Sequence, residues 1–250
     1  MQVNLIDYTG LCSPDPYYAA KLLIYTKSTR LTQGEDTKAV IDAMGAEAIE
    51  TELSYIANTI RSSWEFVDYT FQIQGVSRAF THQFVRTRTG SYAQQSMRSL
   101  DMGSFDYVTG PSIEESPDLC QFYSDGMEFI NELYSFLIEQ GAQVEDARGV
   151  LPTNICTSII VKFNLRTIAD LCGKRENPRA QNEYTKVFKG MMDEVLRVHP
   201  WAEQFIRPDR SATPALDAII KELLGGKTPF TVPEANAALK ELDKLKGVWG

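Results

Sequence analysis

The sequence predicts an α/β fold of the α+β type, with few strands among many helices. Tyr69-Thr70-Phe71-Gln72-Ile73-Gln74 alternates apolar and polar side chains and stops at Gly75, which is the pattern of a half-buried strand. Asn4-Leu5-Ile6-Asp7-Tyr8-Thr9 is a second, weaker strand candidate. Most of the remaining chain repeats its apolar residues at intervals of three and four, the helical period.

In chain order, Asp15-Pro16 opens a helix carrying Ala19, Ala20, Leu22 and Leu23. Thr26 to Leu31 reads as a loop. A helix from about Asp36 to Asn58 puts Ile41, Met44, Ala48, Leu53 and Ile56 near one face. After the strand at 69–74, Ser77 is placed to cap a helix. Arg78, His82 and Arg86 would lie along one polar stripe of it, with Gln83 three residues before Arg86. Residues 99–118 look irregular. Met127, Ile130, Leu133, Tyr134 and Leu137 mark a further helix. Another is expected after Pro152, with Ile155, Ile159, Phe163 and Ile168 inside it and a stop near Gly173. Asn177-Pro178 opens the next, with Tyr184, Val187, Met191 and Val195 on its apolar face, and Pro233 to Leu245 is a last short helix.

The formal net charge of −8 argues against a general nucleic-acid binder, which needs a basic face. No run of eighteen apolar residues exists, so no membrane span is expected. The N-terminal residues lack a basic region followed by an apolar stretch, so no secretory signal is expected and the cytoplasm is favoured. Cys12, Cys120, Cys156 and Cys172 are too scattered for a CxxC pair and read as reduced, mostly buried thiols. With only His82 and His199, a histidine-rich metal site is excluded and no metal is expected. His82 reads as structural and His199 as a surface residue; Trp64, Trp201 and Trp249 read as packing. Gly225-Gly226-Lys227-Thr228 lacks the earlier glycine that a phosphate loop needs.

The chemistry concentrates between Gln83 and Arg98. Arg86, Arg88, Arg98, Gln83, Gln94, Gln95, Ser91 and Ser96 crowd into this stretch, with Gly90 in the middle. Guanidinium forks match phosphate oxygens, hydroxyls complete such a site, and glutamine amides read a base edge or a sugar. The cluster suits an anionic nucleotide, although a solvated turn bearing surface arginines would have the same composition.

Gly75 to Gln83, then Arg86-x-Arg88, seven residues, and Ser96 resembles the signature segment of the flavin-dependent thymidylate synthases. Ala147-Arg148-x-Val150-Leu151-Pro152, Asn164-x-Arg166, Arg175 and Ala180-Gln181-x-Glu183 are similar to that family's second half. Thr26-Lys27-x-Thr29-Arg30-Leu31 is a third match. The resemblance runs over roughly residues 3–200, so a domain at 1–200 and a C-terminal helical extension at 201–250 are expected.

The resemblance implies a central, mostly antiparallel sheet flanked by helices, and a homotetramer with active sites at subunit junctions. It implies FAD as cofactor, NADPH as reductant, methylenetetrahydrofolate as carbon donor and dUMP as the substrate converted to dTMP. It places Gln83, Arg86, Gln94, Gln95, Ser96, Arg98 and Arg148 on the nucleotide. Arg175 would face the pyrimidine edge, where a fixed cation stabilises charge as N3 loses its proton; Arg175 and Ser96 are the catalytic candidates. Flavin contacts are implied for Ser62, Arg86, Thr87, Arg88, Asn164, Arg166 and Asp170. Without the resemblance, Arg166 and Asp170 could form a surface ion pair four residues apart on one helix.

The sequence also departs from the family pattern. Thr87 stands for the motif's histidine, Ala93 for an asparagine or serine, Ser99 for a tyrosine, and Asp170 for an asparagine or histidine. Thr59-Ile60-Arg61-Ser62-Ser63-Trp64-Glu65-Phe66 replaces both histidines of G-H-x-S-x-x-E-H with Ile60 and Phe66, which can only pack. The substrate could therefore be dCMP or UMP, the outcome hydroxymethylation, or the chain an inactive nucleotide or flavin binder. A helical scaffold using the arginines for subunit contacts is the non-enzymatic alternative. No GxGxxG sequence supports a Rossmann-type flavoprotein.

Overall fold

The computed structural model describes residues 1–29, 36–98, 103–175 and 182–206. The chain divides into Met1–Pro208 and Asp209–Gly250, and the second part lies outside the described residues, as do Arg30, Leu31, Ser99, Asn177, Pro178, Ala180, Gln181 and the helix expected at 233–245. The described strands are β1 (Gln2–Tyr8), β2 (Asp68–Ser77), β3 (Ser91–Gln94) and β4 (Cys156–Asn164). They form one antiparallel sheet in the order β1-β2-β4-β3. The helices are α1 (Tyr18–Ser28), α2 (Thr37–Asp42), α3 (Ala46–Thr59), α4 (Arg78–Phe84), α5 (Pro111–Glu114), α6 (Pro117–Glu139), α7 (Val144–Ala147), α8 (Leu165–Arg175), α9 (Asn182–Val198) and α10 (Glu203–Ile206).

The alternation that marks β2 in the sequence is its burial pattern. Tyr69, Phe71 and Ile73 are buried, and Thr70, Gln72 and Gln74 are only partly so. Ile159, Val161 and Phe163 of β4 join the same core. Leu23 of α1, Ile49, Leu53 and Ile56 of α3, Ile168 of α8 and the Tyr184, Val187, Met191 and Val195 stripe of α9 complete it. The antiparallel sheet flanked by helices is thus present.

Several expected elements differ. The segment after Pro152 is not one helix but β4 followed by α8. Thr157, Ile159, Val161 and Phe163 are buried while Ile160 and Lys162 are exposed, so the working period is two. Helix begins only at Leu165 and runs past Gly173 to Arg175. The helix expected from Asp36 to Asn58 breaks into α2 and α3, because Gly45 takes extended geometry (φ −80°, ψ 167°) before Ala46. Thr26, Lys27 and Ser28 still belong to α1. β2 continues through Gly75, whose φ of +66° accommodates a bulge between Gln74 and Val76, and ends at Ser77. The region 99–118 contains α5 and the start of α6. Cys12 and Cys120 are exposed, whereas Cys172 alone of the four is buried. His199 is buried against Tyr8, Tyr69 and Trp201 rather than on the surface.

Candidate functional site

Ser77 turns the end of β2 into α4. Its Oγ accepts a hydrogen bond from Phe80 N at 3.0 Å, the cap that its position in the sequence suggested. Arg78 N and Ala79 N donate to Ile155 O and Thr153 O at 3.1 and 2.7 Å, fastening the start of α4 to the chain that enters β4.

That fastening sets Arg78 near Arg148, which follows α7. Arg78 Nη2 donates to Gln95 O at 2.8 Å, while its Nε is buried with no partner. Burial, and then repulsion from Arg148, holds the Arg78 guanidinium below its usual range. Arg148 Nε donates to Glu145 O at 3.0 Å, and its Nη2 lies 3.5 Å from Glu145 Oε1. Arg98 Nη2 is 3.0 Å from the same oxygen. Arg98 and Arg148 therefore share one carboxylate, with Arg78 close by. The surplus of positive charge and the unpaired Nε suit an anionic group.

The other expected nucleotide residues lie along α4 and β3. Gln83 is exposed on α4. Gln94 Nε2 donates to Thr81 Oγ1 at 2.8 Å. Gln95 exchanges bonds with Ser158, its N to Ser158 O at 2.9 Å and Ser158 N to its Oε1 at 3.2 Å. Ser96 Oγ accepts from Arg98 N at 3.1 Å, which shapes the chain leaving β3.

Arg86, Thr87 and Arg88 lie beyond the end of α4, so the polar stripe expected to run to Arg86 stops at His82. Arg86 and Arg88 are exposed on a turn that Tyr92 fastens from beneath. Gly90 closes the turn against Phe163; a Cβ there would sit 2.3 Å from the ring.

The remaining flavin candidates gather at the other end of β4. Ser62 is exposed on a 3₁₀ helix, Arg61–Phe66. Asn164 Oδ1 accepts from Thr167 N at 2.8 Å, so its side-chain carbonyl caps α8. Arg166 and Asp170 do not pair with each other. Arg166 Nη1 lies 2.6 Å from Glu65 Oε1, and Asp170 Oδ1 lies 2.5 Å from Arg61 Nη2. Arg61 also covers the ring of Trp64 at 5.1 Å. The two ion pairs cross between the 3₁₀ helix and α8. Ile60 is buried in the core, whereas Phe66 is 58% exposed. Arg175 ends α8; its backbone alone is described.

The arginine group thus adjoins the Cys156 end of β4, and the Glu65–Arg166 group adjoins the Asn164 end. Eight residue steps separate those ends, about 26 Å at strand spacing. Sequence reasoning missed Arg78, Arg61, Glu65 and Glu145 as members of these groups. Arg78 had a signal in the polar stripe, but the other three pair across distances in sequence that no local pattern reveals.

Among the described residues no helix is long and apolar enough to cross a membrane, and no group of three His, Cys, Asp or Glu could hold a metal ion. Residues 4–201 match the family described as thymidylate synthase complementing protein. The chain is 37% identical to the flavin-dependent thymidylate synthase of Pyrococcus horikoshii over 202 residues, which cover 79% of this chain and 80% of that one. It is 30% identical to the protein of the same name from Clostridium tetani over 206 residues, 72% of this chain and 83% of the relative. A third, from Sulfolobus acidocaldarius, is 38% identical over 145 residues, which cover 56% of this chain and 54% of that relative's length. With its family match running from the first strand past the last turn of α9, the chain belongs to the thymidylate synthase complementing protein family.

Proposed function

We propose that this protein transfers a one-carbon group from methylenetetrahydrofolate to C5 of dUMP, giving dTMP, with FAD as cofactor and NADPH as reductant. The observation that carries the reading is the group Arg78, Arg98 and Arg148, with the buried, unpartnered Nε of Arg78. In a protein of net charge −8 such a group suits an anion. A nucleotide phosphate supplies that charge. Gln83 on α4, Arg86 just beyond it, Gln94 at the end of β3 and Gln95 and Ser96 after it then meet sugar and base. Arg175 stabilises the negative charge that appears as N3 loses its proton, which makes C5 the better nucleophile.

The second group fits a flavin. Arg86 and Arg88 on the Tyr92-pinned turn, together with Arg166, supply cations for a pyrophosphate; Ser62, Thr87 and the amide of Asn164 supply neutral partners. Asp170 acts by holding Arg61. Once bound and reduced by NADPH, the flavin would supply the hydride. Glu65 fixes the direction of the Arg166 guanidinium and so orients whatever binds it.

The same reading includes a homotetramer. The two groups adjoin opposite ends of β4, which lie about 26 Å apart at strand spacing, farther than a pyrimidine ring stacked on a flavin ring reaches. A homotetramer with sites at subunit junctions closes that gap. Phe122, Phe129 and Phe136 recur every seven residues on α6 and are 81%, 65% and 56% exposed, a stripe of the kind that self-association covers. The domain at 1–200 carries this activity, in the cytoplasm, without nucleic acid or membrane; 201–250 extends it.

The test is a visible spectrum after loading with FAD and removing the excess, then titration with dUMP, dCMP and UMP. A retained flavin band that shifts with dUMP supports the reading, and a shift with dCMP or UMP alone changes the substrate. A protein that stays colourless overturns it. Arg98→Ala should weaken nucleotide binding by about 2–3 kcal/mol, and Arg175→Ala should abolish turnover with flavin retained.

A further inference from the structure

Glu183 lies in the first turn of α9 and reaches the junction of β2 and α4. Its Oε1 accepts from Ser77 N at 2.5 Å and its Oε2 accepts from Ser77 Oγ at 2.6 Å. Ser77 is buried, and its Oγ also accepts the capping bond from Phe80 N. One carboxylate therefore uses both oxygens to hold the residue at which strand becomes helix. Only a group with two acceptors and no donor matches an N–H and an O–H offered together. Aspartate is one carbon too short to keep the same reach, and glutamine replaces one acceptor by a donor.

The consequence falls on the next residues. Arg78 follows Ser77 directly, and Gln83 lies on the same short helix. The direction of α4, and with it the place of the Arg78 guanidinium beside Arg148, depends on how Ser77 is held. Across the sheet Ser77 pairs with Cys156, at the end of β4 where the arginine group lies. The Arg166 group lies at the opposite end. No residue of the nucleotide or flavin groups bonds Glu183 directly in the contacts described.

We infer that Glu183 is a positioning residue for the nucleotide half of the site, acting through Ser77 on Arg78 and Gln83. The inference rests on the functional reading above and adds a residue to it. The clasp holds the start of α4, next to Arg78, while Tyr92 pins the Arg86–Arg88 turn at its other end, so loosening the clasp disturbs the nucleotide more than the flavin.

The experiment uses the full chain loaded with FAD and measures flavin Kd, dUMP Kd and Tm for wild type, Glu183→Gln, Ser77→Ala and the double variant. Glu183→Gln should raise the dUMP Kd by about tenfold while flavin Kd stays within about twofold. Ser77→Ala should show the same selectivity, and the double variant should bind dUMP no worse than about the weaker single variant, because both changes open one clasp. Ser77→Ala keeps the N–H bond to Glu183 and carries the test alone if Glu183→Gln does not fold. Equal dUMP Kd in variant and wild type, or dUMP and flavin affinities falling by one common factor alongside Tm, overturns the positioning role. A wild type that binds neither flavin nor any pyrimidine nucleotide overturns the functional reading instead.

Discussion

The hydroxyl of Tyr92 lies 2.7 Å from the carbonyl oxygen of Thr87 and 3.1 Å from that of Phe84. It thereby binds the last turn of α4 to the arginine turn that follows. Burial pushes the phenol up to about 12, so it remains a proton donor throughout the neutral range. Tyr92→Phe keeps the ring contacts with Phe84 and Phe163 but removes the donor. Stability should fall by about 1 kcal/mol in urea denaturation, and flavin should bind more weakly. An unchanged midpoint with unchanged flavin affinity would show that the turn holds without the hydroxyl.

Gly90 is required by space. A methyl group there would meet Phe163 Cε1 at 2.3 Å and Tyr92 Oη at 2.9 Å. Gly90→Ala should cost about 1–3 kcal/mol through overpacking and should displace Arg86 and Arg88 together. Chemical denaturation combined with flavin titration reads both effects.

His199 makes the fold acid-sensitive. Burial holds it down to about 4, and its Nδ1 lies 2.9 Å from Tyr69 Oη. The unfolded chain takes up a proton near 6.5 while the folded chain does not, so protonation favours unfolding. Stability is therefore complete above about pH 6.5 and declines as pH falls towards 4, where the loss levels off, by up to about 3 kcal/mol. His199→Gln should flatten this part of the stability–pH curve; a curve of unchanged slope between pH 6.5 and 4 would contradict the assignment.

The phenylalanine stripe on α6 predicts its own disruption. Phe129→Asp at the centre of the stripe should lower the assembly state seen by sedimentation without lowering the helix content seen by circular dichroism. Under the proposed homotetramer with sites at subunit junctions, it should also reduce turnover. A variant that sediments like wild type would place the contact elsewhere.

Local chemistry carried the legible part of the fold. Ser77 as a cap, the alternation at 69–74 and the apolar stripe of α9 were all readable, because each depends on neighbours within one turn or one strand. β4 hides its strand period for a definite reason. Ile155, Ile159 and Phe163 are four apart, and four is a multiple of the strand period as well as close to a helical turn. The deciding residues were Thr157 and Val161, buried between them. His199 carried no mark of burial, because Tyr69, 130 residues away in sequence, supplies its partner. The candidate site divides the same way. The arginines from 86 to 98 stood out against an acidic chain, but the crossing of Glu65 with Arg166 and Arg61 with Asp170 spans 101 and 109 residues and exists only once the sheet has formed.

The pairing of β2 with β4 joins Ser77 to Cys156 and Asp68 to Asn164, and so closes a loop of roughly eighty to a hundred residues. Every residue of the arginine group lies on that loop: Arg78 at its start, Arg98 within it and Arg148 near its end. Closure of so long a loop is a slow step in folding, and before it occurs only the Arg148 guanidinium has a partner within one turn of chain, Glu145. Nucleotide present during refolding therefore cannot template the early steps; it can only capture the chain after the two central strands have met, and the appearance of binding should keep time with the slowest phase of sheet formation.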